Sequence, residues 1–130
     1  MYGNYKNLKV YLLAMEQAMD IFNITKSFPK EEKYSLTDQI RRSSRSICAS
    51  VGEAYRKRQY PAHFASKLSD ADMENTETQI WLEFAARCEY ISQNTKCSLL
   101  IRSQGIGKLL NYMILHPEKY QRKNLPDCQQ

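Results

Sequence analysis

Between Ser35 and Arg58 the chain reads SLTDQIRRSSRSICASVGEAYRKR, and at helical spacing its side chains sort onto separate faces. Leu36, Ile40, Ile47, Val51 and Ala54 form an apolar stripe, while Arg41, Arg42, Arg45 and Arg56 gather on another face. Ser43, Ser44, Ser46, Ala49, Ser50 and Gly52 are small and let a neighbouring helix approach closely. A helix with one apolar stripe must bury it, so this stretch calls for helical partners. Ser35 with Asp38 three residues on resembles a capping box. Arg56-Lys57-Arg58 closes the helix with the positive charge its dipole favours.

Three further segments supply such partners. The spacing predicts a first helix over Asn7–Lys26, with Asn7 as N-cap. Its stripe is Leu8, Tyr11, Leu12, Met15, Ala18, Met19 and Phe22, opposite Lys9, Glu16, Asp20 and Asn23. Phe28-Pro29 ends it, because the residue before proline is pushed out of helical geometry. Lys30 to Tyr34 is a connector of about one turn. A third helix is expected from Pro61 to Tyr90, with proline suited to its first turn. Phe64, Leu68 and Ala71 align in its first half, whereas Ile80 to Ala86 is apolar nearly all round. A helix apolar on more than one face is buried on more than one side, which in a 130-residue chain points to an oligomer. The fourth helix is expected over Thr95–Leu115, capped near Ser92 or Asn94, with Leu99, Ile106, Leu109, Leu110 and Met113 as its stripe. Gly105 and Gly107 each cost that helix on the order of 1 kcal/mol against alanine, implying tight packing or a kink. Pro117 stops it, and residues 117–130 are expected to be a polar, loose tail after a single domain over 1–116. With no strand pattern and short connections, the fold class is all-α: an antiparallel, up-down-up-down four-helix bundle.

Composition narrows the chemistry. Apolar residues are 42% and charged residues 25% of the chain, a globular balance without a run long enough to cross a membrane. The opening MYGNYKNLKV lacks the apolar core of a secretory signal, so a cytoplasmic location is expected. Cys48, Cys88, Cys97 and Cys128 form no C-x-x-C pair, and no metal or cofactor site is expected. Three of them fall in apolar helical patterns, where a reduced thiol acts as a small hydrophobe. His63 and His116 lie at helix ends, in positions for capping rather than general-base work. Asp70, Glu74 and Glu77 lack the Glu-x-x-His partners of di-metal bundles and read as a salt-bridged or solvated face. The Ser43, Ser44, Ser46 cluster has no histidine nearby in sequence, and no glycine loop cradles phosphate. The chain is therefore not expected to be an enzyme.

The basic helix stands above this background. From Lys30 to Arg58 eight basic residues face four acidic ones, within a net charge of +5. Arginine suits phosphate and carboxylate alike, so two readings stay open. In one, Asp38 pairs with Arg42 and the other arginines meet the acidic third helix. In the other, Arg41, Arg42, Arg45, Arg56, Lys57 and Arg58 contact nucleic-acid phosphates, with Tyr55 and Tyr60 beside them for stacking. Arg41, Arg42 and Arg45 sit close to core positions, which favours pairing for part of that cluster; Arg56 to Arg58 are the better candidates for an outside partner.

The pattern F-P-x-x-E-x-Y-x-L-x-x-Q-I-R-R over Phe28–Arg42, the small residues leading to Gly52-Glu53-Ala54, the early Tyr5-Lys6-x-Leu8 and the later E-T-Q-x-W-L-x-F-A over Glu77–Ala85 carry a resemblance. Together they resemble the four-helix-bundle family encoded in intervening sequences of 23S ribosomal RNA genes in bacteria. The accessory variability determinant of diversity-generating retroelements is similar. The resemblance spans about Asn4 to Leu115. It implies a ring-shaped homopentamer and, for the retroelement members, binding of nucleic acid and of a reverse transcriptase. The function expected is non-enzymatic binding of structured RNA or an RNA–DNA hybrid. The alternative is a protein adaptor that docks an enzyme such as a reverse transcriptase.

Overall fold

The computed structural model describes residues 4–121. Four helices make the body: α1 (Lys9–Thr25), α2 (Leu36–Arg56), α3 (Pro61–Arg87) and α4 (Gln93–Leu115). Single 3₁₀ turns at Tyr5–Asn7, Lys30–Glu32 and Pro117–Lys119 lead into, join and follow them. The described residues contain no strand, and the fold is the expected all-α four-helix bundle. Each helix packs on the next and α4 returns to α1, while the backbones of diagonal helices stay apart across the core. Arg42 meets Glu74 and Glu77 whereas Glu53 meets Lys67, so α3 runs opposite to α2. Asn75 with Ser103 and Glu83 with Lys96 set α4 opposite to α3 in the same way.

The helix ends differ from expectation in instructive ways. Asn4, not Asn7, is the capping asparagine, accepting from the Lys6 N–H at 3.0 Å and starting the 3₁₀ turn ahead of α1. Ser35 precedes α2 without bonding its backbone, so the expected capping box is absent. Glu32 replaces it: its Oε1 accepts from Ser35 Oγ at 2.6 Å and from the Leu36 N–H at 3.2 Å. Ser92 does cap α4, accepting from the Thr95 N–H at 3.0 Å. α3 ends at Arg87, three residues early, because Glu89 turns left-handed at φ 62°. The Tyr90 N–H then reaches back to the Ala85 carbonyl at 2.9 Å, closing the helix as a Schellman turn does.

Besides a small third cluster of Phe28, Leu36 and Ala85, the interior has two main apolar clusters with a polar layer between them. One holds Val10, Ala14, Ile47, Val51, Phe64, Leu68, Ile106 and Leu110, and the other Ile21, Ile40, Leu82 and Leu99. On every helix a buried polar residue falls between the two: Gln17 on α1, Ser43 on α2, Asn75 and Thr78 on α3, Ser103 on α4. Ser43 and Thr78 share a hydroxyl bond of 2.8 Å, and Asn75 exchanges bonds with both the hydroxyl and the carbonyl of Ser103. Each large apolar side chain buried here stabilises the fold by about 1.5–3 kcal/mol relative to exposure.

The stripes expected on α2, the first half of α3 and α4 are in the core, but that on α1 is only partly so. Leu12, Met15 and Met19 point outward, and the buried face is Val10, Ala14, Gln17, Ala18 and Ile21. Both faces carry apolar residues at helical spacing, and small alanines let the neighbouring helices close in where leucine and methionine would hold them apart. Cys48 is buried as a small hydrophobe, its thiol pushed up to about 11 by burial. Cys88 and Cys97 are exposed, contrary to expectation, and Cys128 lies outside the described residues. Gly107 faces α3, where a Cβ would make only an ordinary contact, 3.4 Å from Asn75, so the packing admits a side chain there. Nothing in the structure explains Gly105, which faces open space in an uninterrupted helix. Past Pro117 the chain stays on the bundle, with Tyr120 6.0 Å from the Phe64 ring; the rest of the expected loose tail lies outside the described residues.

Candidate nucleic-acid interface

α2 presents its apolar stripe to the core and its arginines outward, and the outward set divides into three held and three unheld cations. Arg41 lies against the end of α1. Its Nε donates to Thr25 Oγ1 at 2.7 Å, and its guanidinium sits 4.7 Å from the Phe22 ring centre. It is thus a positive charge at a helix C-terminus, where free carbonyls favour one. Arg42 reaches across to α3, donating to Glu77 and, at 3.5 Å, to Glu74. Burial alone would lower the Arg42 pKa, but the two carboxylates outweigh it and hold it above its ordinary value. The expected Arg42–Asp38 pair is not formed; the acidic helix supplies the partner instead. Arg58 folds back, its Nη1 donating to the Tyr55 carbonyl at 2.8 Å and its guanidinium lying 3.9 Å from the Tyr55 ring centre. It therefore finishes α2 rather than standing free beside Arg56 and Lys57.

Arg45, Arg56 and Lys57 remain exposed, their side chains without a hydrogen bond or ion pair among the described residues. Arg45 lies 5.6 Å from the Phe22 ring and Lys57 5.9 Å from the Tyr60 ring. Arg45 also lies where two shallow depressions meet. One, of about 560 Å³, runs past Tyr34, Asp38 and Arg42 toward the start of α2. The other, of about 490 Å³, runs past Gly52 to Arg56, with Tyr5 and Tyr11 as its wall. Ala49 lines both, and the Tyr5 ring lies beside Gly52, where a Cβ would make an ordinary 3.6 Å contact with it. The small residues therefore leave a flat track along the outside of α2, with Arg45 at its middle and Arg56 at its end.

Charge is uneven along the bundle axis. At the end where α2 and α4 finish, the outer eight residues of each helix and the adjoining turns carry eight basic residues, Lys6, Lys9, Arg56, Lys57, Arg58, Lys67, Lys108 and Lys119. They face three acidic ones, Glu16, Glu53 and Glu118. Of the eight, Lys67 is paired, lying 3.2 Å from Glu53. The opposite end, counted alike, is near balance, with seven basic residues (Lys26, Lys30, Lys33, Arg41, Arg42, Arg87, Lys96) against six acidic ones (Asp20, Glu31, Glu32, Asp38, Glu83, Glu89). The acidic run on α3 is spent internally: Glu74 and Glu77 on Arg42, Asp70 on Lys67. Arg102 of α4, not singled out from the sequence, is held by Glu16 and Asp20 of α1. His116 accompanies the end of α4, its Nδ1 2.9 Å from the Tyr112 carbonyl. Among the described residues no group of His, Cys, Asp and Glu gathers to hold a metal ion, and no helix is long and apolar enough to cross a membrane.

Comparison with known proteins decides the family. A model of the 23S rRNA-intervening sequence protein matches residues 6–112. The chain belongs to that family. Among solved structures, it is similar to a protein of unknown function from the S23 ribosomal protein family of Bacteroides thetaiotaomicron. The two are 38% identical with a TM-score of 0.74, over 81% of this chain and 94% of the other. No curated protein matches. The match includes α1 to α3 and nearly all of α4, so the arginine track and the exposed Ile80 and Phe84 of α3 both lie within the family domain.

Proposed function

We propose that this chain is a non-enzymatic, oligomeric protein that binds nucleic acid, structured RNA or an RNA–DNA hybrid, along the outer face of α2. The observation that carries this reading is the set of exposed cations on that face whose side chains have no ion pair or hydrogen bond among the described residues, Arg45, Arg56 and Lys57. Arg41, Arg42 and Arg58 frame them, and their bonds within the bundle make them supports for the track rather than its main phosphate ligands. A phosphate backbone fits such a face because each neutralised phosphate releases counterions, an affinity that needs no pocket. The test is binding of a labelled RNA hairpin across a range of salt. Affinity is expected to fall steeply with salt, and the triple substitution R45A/R56A/K57A to flatten the slope by about 0.7–0.9 for each phosphate that is no longer neutralised. Absence of salt-sensitive binding to RNA, hybrid or DNA alike sinks the reading.

A second reading, a protein adaptor that docks an enzyme such as a reverse transcriptase, is favoured by the apolar side chains left outside the bundle. On α3, Ile80 is 49% and Phe84 52% exposed, and Leu12, Met15 and Met19 line the outside of α1. The same surfaces serve self-association, for which the resemblance implies a ring-shaped pentamer. A partner enzyme that stays bound after nuclease treatment supports the adaptor; loss of every partner on digestion counts against it.

A further inference from the structure

Two exposed tyrosines stand at the basic end of the bundle, each with a cation and a histidine beside it. Tyr60, in the turn between α2 and α3, is 57% exposed; Lys57 Nζ lies 5.9 Å from its ring centre and the His63 ring meets it edge-on at 6.2 Å. Tyr112, in the last turn of α4, is 39% exposed; His116 stacks on it at 4.2 Å and Lys119 Nζ lies 5.7 Å from its ring centre. The two groups are joined through the core edge. The Phe64 N–H bonds to the Tyr60 carbonyl at 2.9 Å, and Tyr120, next to Lys119, packs on the Phe64 ring. A single exposed tyrosine needs no explanation. Two aromatic–basic groups on adjoining helix ends, where the excess positive charge collects, form a surface of a particular kind. Its cations suit phosphates and its rings suit the faces of bases.

Duplex nucleic acid does not use such rings, because its bases are stacked within the helix. Unpaired nucleotides do: base–aromatic stacking is tolerant of sequence, and lysines beside the rings follow the backbone between bases. We propose that this end of the bundle binds single-stranded nucleic acid, with bases stacking on Tyr60 and on the Tyr112–His116 ring pair and phosphates neutralised by Lys57 and Lys119. The inference rests on the nucleic-acid reading above and narrows it, since it assigns unpaired nucleotides to the end of the bundle and leaves the backbone of paired segments to the α2 face.

The test uses the full chain with two labelled probes, a 12-nucleotide oligouridine and an RNA duplex of the same length, followed by fluorescence anisotropy. Y60L and Y112L are each expected to weaken oligouridine binding by about fivefold to a hundredfold, the range for removing one base stack, without changing the salt slope. Y60F and Y112F keep the ring and are expected to bind as the parent does. K57A and K119A are expected to flatten the salt slope for oligouridine. The duplex is expected to respond to R45A and not to Y112L. Far-ultraviolet circular dichroism of each variant separates lost binding from lost fold, and the phenylalanine variants stand in should a leucine variant unfold, since loss of binding in them overturns stacking. Oligouridine binding unchanged in both leucine variants overturns this inference and leaves the α2 reading standing. Poly-glutamate competing as well as oligouridine overturns it in favour of an acidic protein partner. No binding of either probe sinks both readings.

Discussion

At the residue scale, the neighbours of each arginine on α2 decide what it does. Arg42 and Arg45 are three residues apart in the same helix, yet one spans to two carboxylates on α3 and the other lies over the Phe22 ring at 5.6 Å. R42A is therefore expected to lower stability by about 0.5–1 kcal/mol, the modest value of a pair that is 46% exposed on the arginine side. R45A is expected to leave stability unchanged; urea unfolding of the two variants checks both. Glu89 is a second residue-scale case. Its left-handed backbone strains any side chain with a Cβ, and its carboxylate has no partner among the described residues. E89G is expected to raise stability by about 1 kcal/mol, the usual cost of a non-glycine residue in that region, read as a rise in Tm. The sequence did not reveal this turn, because glutamate carries none of the signals of a helix stop and the apolar pattern runs on to Tyr90.

At the element scale, Glu32 ties three pieces of the chain together. Its carboxylate accepts from Ser35 Oγ, from the Leu36 N–H at the start of α2, and from Tyr90 Oη at 2.9 Å beyond the end of α3. The bonds from Ser35, Tyr90 and Leu36 hold the Glu32 pKa below its ordinary 4.5. The bond to Glu32 is the main reason the Tyr90 hydroxyl is pushed up to about 12. The two shifts act at opposite ends of the pH scale. A carboxylate with a lowered folded pKa contributes stability that is present above about pH 4.5 and lost as pH falls through the folded value. A tyrosine with a raised folded pKa contributes stability present below about pH 10 and lost as pH rises toward 12. Urea unfolding from pH 3 to pH 11 is expected to show both losses in the parent. In E32Q the part of each that exceeds the protein's other titrations should disappear. α1 teaches a different lesson at this scale. Its apolar residues lie on two faces, and periodicity alone ranks the larger side chains first; the packing distance available between helices selects the smaller ones.

At the scale of the whole molecule, the surface is of two kinds. The outer α2 face and the adjoining end are basic, while α1 and the second half of α3 carry apolar side chains on the outside, Leu12, Met15 and Met19 on one and Ile80 and Phe84 on the other. Ile80 and Phe84 stand on the side of α3 away from the core, whose inward face is Leu82, Ala85 and Ala86. Apolar side chains of this size on an outward helix face are expected to be covered by another copy of the chain. Light scattering is expected to show an oligomer that I80E/F84E reduces to smaller species while leaving the helical circular dichroism intact. A monodisperse monomer of the parent chain overturns this. If the oligomer forms around α3, the α2 track is left on a separate surface, and the RNA affinity of the I80E/F84E variant should fall only by the loss of multivalency.

Four helices, their order and most of their core faces were legible in the sequence because helical periodicity is a local property, read from residues three and four apart. The basic character of α2 was legible for the same reason. What the sequence left open was which cations are spoken for, since an ion pair such as Arg42 with Glu77 joins residues 35 apart in the chain. Only the packed bundle divides Arg41, Arg42 and Arg58 from Arg45, Arg56 and Lys57. It alone brings Tyr60 and Tyr112, on different elements, to one end of the molecule. The division follows from geometry: helix spacing and register decide which guanidinium reaches a carboxylate or carbonyl, and a chain read in order carries no direct measure of either.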